Sequence, residues 1–477
     1  MSSKLLQHIR KQFFIEDGKR IIVLLNRDGV LCREEFARRF KEEFGIDVFA
    51  GGSLELRLLK EISAIESPDA FFLFVRSEDF DILPDMEEYV EMYDFQTKKV
   101  FANYHFDTIK NEPFEVLEKL YEEYPTRKLS AGETADKVAA LKENATSQKT
   151  VIENYTLHNG VDFNAPSAWI NAAAATMLCA LKCGRWSEIN EQVDEINVKF
   201  QEYLKTNYAM IQASGCPMVA PRIVTHILPF IKRTQDRTAL VVVDGMNYWQ
   251  GLMLMESIES HLGRKSKCDC IYSWLPSTTE LSRQAIFRGG RPDVNYLQNP
   301  TNEKTLWREF WLNAGLADYK LYYQHTRTIE QEHSVDRLAY VCTDLDEMMH
   351  HSKNYNYLYS NTNIWVNEDS TLAKIKHLLD SGFKVFITTD HGNIEGVPYK
   401  KLTTQEKLGA DSSLRHITIA QVANERMFEG EHNGHITTIT KNRTYYPAGR
   451  GIFHNEECVT HGGTHWLEVL IPFITIE

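Results

Sequence analysis

VFITTDHGN, running from Val385 to Asn393, is the segment from which the architecture of this chain can be read. Five residues, mostly β-branched or aromatic, pass directly into Asp390 and His391. That composition predicts a buried strand rather than a helix. Gly392 follows, where a sharp turn of the backbone is expected. Such a strand delivers two potential metal ligands at its carboxyl end, and in open parallel sheets ligands bind in the crevice beyond those ends. The same residues also suit a strand that closes in an ordinary polar turn, so the rest of the chain has to decide between the two.

Outward from this segment, strand and helix patterns alternate from about Thr238 to the C-terminus. TALVVVDG, CIYSWLP, LAYVCTD and LIPFITI read as further strands, and MNYWQGLMLMESIESHL and TELSRQAIF as helices. Alternation of this kind predicts an α/β fold with a parallel or mixed sheet sandwiched by helices. Between about Tyr124 and Pro221 the pattern turns helical, with Ile189, Val193, Ile196, Phe200 and Tyr203 recurring at three- and four-residue steps. A packed helix or helical hairpin joining two domains is expected there, with a short coiled-coil contact to a partner as the alternative. The first 125 or so residues alternate again: RIIVLLN, the Asp28-Gly29 turn, the amphipathic REEFARRFKEEF, then IDVFAG, SLELRLLKEI and AFFLFVR. No glycine-rich phosphate loop accompanies those strands, which favours a binding or scaffolding domain over a nucleotide-binding one. The expected division is a smaller α/β domain over 1–125, a helical segment over 126–235 and a catalytic domain over 236–477, with no internal repeat.

Composition bounds the function. A chain of 477 residues with 43% hydrophobic and 25% charged content is ordinary for a soluble globular protein of two or three domains. The formal net charge of -13 argues against coating duplex DNA through a broad basic face. It leaves room for a metal-lined phosphate site, because bound divalent ions can be the largest local charges there. MSSKLLQHIRKQFF lacks the apolar core of a signal peptide, and no window has the length of a membrane span. The eight cysteines are scattered without zinc-ribbon spacing, so reduced thiols and a cytoplasmic location are expected. Cys268-x-Cys270 falls in a strand-like run whose alternation accounts for small buried thiols.

Four further segments offer chemistry that matches Asp390 and His391. TALVVV ends at Asp244-Gly245, where a carboxylate is either a rigidly placed ligand or a turn or helix N-cap. LAYVCTDLDEMMHH carries Asp346 and His350 at an i, i+4 spacing, on one face of a helix, with Asp344 and His351 as neighbouring alternatives. CVTHGGTHWLE places His461 before two glycines that permit close backbone approach. Three Asp and three His make a mixed N/O ligand set that suits zinc best, with manganese as the alternative, and suffices for two ions sharing a substrate oxygen. LPSTTELSRQAIFRGG follows a strand and opens a helix, so a hydroxyl at Thr278 or Thr279 lies where backbone N–H groups favour an anion. The competing structural reading is an N-cap, with Glu280 three residues after Ser277 resembling a capping box.

On these segments, the region from about Thr238 onward resembles the PglZ domain, a branch of the alkaline phosphatase superfamily that includes nucleotide pyrophosphatase/phosphodiesterases. Asp-Gly after the first strand, Pro-x-x-Thr ending in Gly, Asp-x-x-x-His, Thr-x-Asp-His-Gly and a late His-Gly-Gly with a downstream Glu come in family order. The resemblance implies that Asp244, Thr279, Asp390 and His391 form the shell of one zinc, and Asp346, His350 and His461 that of the other. It prefers Thr279 over Thr278 as nucleophile, three residues after Pro276 and ten before Gly289. Residues 1 to about 125 are more distantly similar to the N-terminal region of PglZ proteins of BREX phage-defence systems. Asn247 stands where many relatives carry Arg, and His465 where many carry Ser, departures that touch substrate preference rather than ligation. His432, His435 and His454 are expected to be solvated loop residues.

The resemblance implies a two-zinc phosphodiesterase or nuclease acting on nucleotide, oligonucleotide or nucleic-acid substrates in antiphage defence, with defence-system proteins as partners and no membrane. Arg283 and Arg288 are candidates for phosphate contacts. A phosphomonoesterase shares the apparatus; a sulfatase, which needs Cys or Ser as nucleophile, is disfavoured by Thr279. The rival of another class is a scaffold or regulatory subunit of a defence complex whose chemistry is incidental.

Overall fold

The computed structural model describes residues 3–13, 21–66, 72–79, 82–154, 160–293, 295–325, 334–368, 370–408, 410–440 and 442–477. It separates into two compact units, Met1–Thr150 and Val151–Glu477. The first holds β1 (Ile21–Leu25), β2 (Asp47–Phe49), β3 (Phe72–Arg76) and β4 (Val90–Asp94) in the order β2-β3-β1-β4. All three pairings are parallel. Alternation along β1 sorts its side chains onto two faces. Ile22 and Leu24 pack with Phe36 and Phe40 of the helix Glu34–Phe44, and Ile21 and Val23 with Leu56 and Leu59 of the helix Ser53–Glu66. A sheet covered on both faces is what an unbroken apolar run such as IIVLL requires. The expected strand starts at Arg20 and Ala70 lie outside the described residues.

The second unit carries β5 (Thr238–Val243), β6 (Ser266–Tyr272), β7 (Leu321–Gln324), β8 (Arg337–Cys342), β9 (Lys384–Thr388), β10 (Ile394–Pro398), β11 (Ala410–Ser412), β12 (Ile417–Ile419), β13 (Ile436–Thr437), β14 (Thr444–Pro447), β15 (Gly451–Ile452), β16 (Cys458–Thr460) and β17 (Leu470–Ile476). The main sheet has the order β6-β17-β9-β5-β8-β7. β5 is parallel to β8 and β9, β7 is parallel to β8, and β17 runs antiparallel to both β6 and β9. β6, β9, β5, β8 and β7 therefore all point one way and β17 the other. Two small sheets, β15-β10-β16 and β11-β12-β14-β13, lie outside it.

Every residue of β5 and of β8 is buried. Each fully buried Val or Leu in such strands contributes about 1.5–3 kcal/mol, so the central strands are rigid platforms for the loops at their carboxyl ends. The helices Ser167–Lys182 and Asn190–Ala213 belong to this same core. Ile189, Val193, Ile196 and Phe200 are buried against it, which leaves that stripe no free face for a coiled-coil partner. Among the described residues no helix is long and apolar enough to cross a membrane.

Candidate active site

The topology gathers the candidate residues at one edge of the main sheet. Asp244 directly follows β5, and Asp390 and His391 come just after β9. The helix Asp344–His350, which begins just past β8, carries Asp346 and His350. Past β6 the chain enters the helix Thr279–Arg288, with Thr279 as its first residue. His461 follows β16 and precedes β17, and because β17 is antiparallel its amino end lies at the same edge as the other strands' carboxyl ends.

Two groups of ligand-type atoms result, Asp244 with Asp390 and His391, and Asp346 with His350 and His461, each within 4.8 Å of one another. In the first, His391 Nε2 is 3.6 Å from Asp244 Oδ1 and 3.8 Å from Asp390 Oδ2. Thr279 Oγ1 lies 3.0 Å from the same nitrogen. The other ring nitrogen, Nδ1, is 2.9 Å from the carbonyl oxygen of Gly392, which makes Nδ1 a donor and turns Nε2 toward Asp244, Asp390 and Thr279. In the second group, His350 Nε2 is 3.5 Å from Asp346 Oδ2 and His461 Nε2 is 3.9 Å from Asp346 Oδ1. The His391 and His461 rings stack at 3.8 Å with planes 5° apart, which sets the two groups side by side. Of the alternatives at the helix Asp344–His350, His351 turns its Nδ1 to the Glu347 carbonyl oxygen, and Asp344 accepts from Cys342.

The donor set suits divalent cations. Asp244 Oδ1, Asp346 Oδ1 and Asp390 Oδ2 are buried oxygens with no hydrogen-bond partner, whereas Asp390 Oδ1 accepts from the N–H groups of Gly245 and His391. A tetrahedral ion with ligands at about 2.0–2.1 Å spaces them about 3.4 Å apart, close to the separations above. Burial, and then the Asp390 carboxylate beside it, push the Asp244 carboxyl well above the usual range. Burial raises Asp346 as well, against the pull of His391 and His350. Burial, followed by His391, holds His461 well below an ordinary histidine and hence neutral, the form that ligates. Carboxylates turned on one another in the interior repel as they stand and become favourable around a cation.

Exposure is graded across the site. Asp244, Asp390 and His391 are buried, while the His350 side chain is 49% exposed. Arg283, one turn beyond Thr279, is not open to solvent. Its guanidinium is 3.1 Å from Glu303, 3.4 Å from Asp244 and 3.7 Å from Asp390. It stands as a buried counter-charge to these carboxylates, and Glu303 is held in turn by Tyr323.

Other local expectations change as well. The capping box at Ser277 does not form: the N-cap is Thr278, without a side-chain cap bond, and the Ser277 hydroxyl donates instead to the Gly463 carbonyl oxygen at 2.7 Å. The N-cap after β5 is Asn247, in a capping box with Gln250, rather than Asp244. Asn247 also donates to the carbonyl oxygens of Asn393 and Leu467, tying three site segments together. Gly392 is required for close approach rather than for a turn, since a Cβ there would sit 2.0 Å from the Leu467 carbonyl oxygen. His465 caps the short helix Trp466–Val469. His432 is fully buried rather than solvated. It lies with Glu406 and Glu431, but its two ring nitrogens are taken by Glu406 and Tyr399. Sequence reading missed Glu303 and Arg415, of which Arg415 pairs with Glu468 at 2.7 Å with neither side chain exposed. The Glu downstream of His-Gly-Gly was the one available signal for that pair.

Comparison with known families finds that residues 223–476 match the BREX system PglZ alkaline phosphatase-like domain. Among solved structures, the chain is similar to phosphonoacetate hydrolase from Sinorhizobium meliloti 1021 at 13% identity and a TM-score of 0.35, over 50% of this chain and 90% of that one. It is also similar to murine ectonucleotide pyrophosphatase/phosphodiesterase 5 at 10% identity and a TM-score of 0.36, over 50% and 87% respectively. No curated protein matches.

Proposed function

The chain belongs to the family of the BREX system PglZ alkaline phosphatase-like domain, and on that footing we propose that its second unit is a metal-dependent phosphodiesterase or nuclease acting in antiphage defence. Its substrates are nucleotide or nucleic-acid phosphodiesters, and its nucleophile is Thr279. One observation carries the reading: Thr279 Oγ1 lies 3.0 Å from His391 Nε2, beside the stacked His391 and His461 rings of two ligand groups.

Asp244, Thr279, Asp390 and His391 would hold one zinc ion and Asp346, His350 and His461 a second, with manganese as the alternative. Bound there, the ions supply positive charge to the attacking hydroxyl and to the leaving oxygen. The remaining work falls to the chain. Thr279 opens a ten-residue helix whose first N–H groups face an incoming phosphoryl group. Substrate enters from the side of His350, the exposed member of the set, and meets a floor of buried Asp244, Asp390 and His391. Attack by Oγ1 on phosphorus forms a phosphothreonine and expels the leaving alcohol. Water then cleaves that ester and restores Thr279. The net charge of -13 favours recognition through the reacting phosphate over a basic duplex-binding face.

Thr279→Ala tests the reading. In protein loaded with zinc, hydrolysis of a bis-aryl phosphate and of oligonucleotides should fall at least about 10³-fold, the scale on which loss of a nucleophile acts. Unchanged turnover removes Thr279 from the mechanism. Two equivalents of bound zinc with no turnover by the wild type on diesters, monoesters, oligonucleotides or cyclic oligonucleotides would support the scaffold instead.

A further inference from the structure

Two loops meet at the proposed nucleophile, and a single serine joins them. Ser277 is fully buried and lies two residues before Thr279. A serine just ahead of a helix ordinarily spends its hydroxyl on the first free N–H groups. This one reaches across 186 positions of sequence to donate to the Gly463 carbonyl oxygen at 2.7 Å. Its own carbonyl oxygen lies 3.2 Å from His461 Nδ1. An acceptor on Nδ1 keeps the proton there and leaves the Nε2 lone pair directed toward Asp346 Oδ1, 3.9 Å away.

The other side of the same loop is closed off. Gly463 N–H donates to Glu468 Oε1 at 2.8 Å, and Glu468 is paired with Arg415. A Cβ on Gly463 would stand 2.6 Å from Arg415 Nη2 and 2.7 Å from Glu468 Oε2. Gly463 is thus gripped between a buried ion pair and Ser277, with no side chain of its own to give way.

The geometry points to Ser277 as a positioning residue that couples Thr279 to the Asp346, His350 and His461 group. The hydroxyl holds Gly463 and the carbonyl oxygen orients His461, so the segment that presents the nucleophile also sets where the second ligand group stands. This rests on reading Thr279 as the nucleophile and the two groups as metal sites. Without the hydroxyl, the loop loses its tie on the Thr279 side, His461 swings relative to Asp346, and metal affinity at that group falls while the Asp244, Asp390 and His391 group is spared.

The test is a zinc titration of the full chain, stripped of metal, by calorimetry with chelator competition, so that the readout is binding rather than turnover. Wild type should take two equivalents. Ser277→Ala should keep one at wild-type affinity and bind the second about 10- to 100-fold more weakly, the range seen when a partner of a ligating histidine is removed. Ser277→Cys, with a weaker donor of similar size, should fall between the two. Ile258→Val, which trims one methyl from the core of the same unit, should titrate like wild type. A second equivalent bound by Ser277→Ala as tightly as by wild type overturns the proposal, as does equal weakening of both equivalents in Ser277→Ala or Ser277→Cys. If Ser277→Ala does not fold, the Cys variant alone decides. A wild type that binds fewer than two equivalents overturns the metal reading itself, and this inference with it, so the two failures appear in different proteins.

Discussion

Replacing Arg415 by Met should cost the second unit about 3–4 kcal/mol. Arg415 donates from Nε and Nη2 to the two carboxylate oxygens of Glu468, at 3.1 and 2.7 Å, and from Nη1 and Nη2 to the carbonyl oxygens of Gly451 and Gly449. Neither side chain of the pair is exposed. Removing one member of a buried ion pair leaves the other charge uncompensated, typically at about 3–5 kcal/mol. Glu468 keeps two backbone donors, the N–H groups of Gly463 and His465 at 2.8 and 3.1 Å, which moves the expected loss toward the lower end. Gly449 and Gly451 are half-buried residues, and water taking the place of the guanidinium at their carbonyl oxygens would keep the further cost small. All eight tryptophans lie between Trp169 and Trp466, so tryptophan fluorescence during urea unfolding reports this unit alone. Arg415→Met should lower the urea midpoint accordingly, Glu468→Gln should lower it by somewhat less, and the double variant should cost at least about 2 kcal/mol less than the sum of the two. A loss below about 1 kcal/mol for Arg415→Met, or additivity within about 0.5 kcal/mol, would refute the reasoning.

Two further outcomes concern the same loop and its neighbour. His465 is fully buried, and burial, then Arg415 and Arg450, hold its pKa well below that of a free histidine. The unfolded chain takes up a proton near pH 6.5 where the folded one does not, so this contribution is full above about pH 6.5 and is lost progressively as pH falls toward the depressed folded value. His465→Asn, whose side-chain oxygen can accept from the Leu467 N–H in place of Nδ1, should reduce the slope of stability between about pH 6.5 and 5, and an unchanged slope in urea unfolding at stepped pH counts against this account. Gly392→Ala puts a methyl 2.0 Å from a backbone oxygen that has no flexible end to move. It should cost at least about 3 kcal/mol, and a wild-type unfolding midpoint would show that the approach is not so tight.

The strands were legible because burial on both faces leaves little but Val, Ile, Leu and Phe in runs such as TALVVV and VFIT, bounded by Asp and Gly. Asp346 and His350 were legible because one helix turn alone brings them together. What local pattern cannot carry is pairing set by topology. Ser277 looks like a cap because its sequence neighbours suit one, yet its hydroxyl is claimed by a loop 186 positions away. Arg415 and Glu468 are 53 positions apart, and nothing around Arg415 marks it. Nothing in the sequence links Arg283 to Glu303, which comes in from the next helix and makes the guanidinium part of a charge network. Asn247 appeared only as a departure from a family pattern, and three distant contacts give it a purpose.

β17 is the strand on which the continuity of the main sheet depends. It lies between β6 and β9, so until it is in place the main sheet is two pieces, one strand on one side and four on the other. The strand that joins them is preceded by the loop bearing His461, so one stretch of chain both closes the sheet and supplies the last member of the second ligand group. A chain lacking β17 would still carry all six ligand residues, but the loop that sets His461 beside Asp346 and His350 would lose the strand that anchors it.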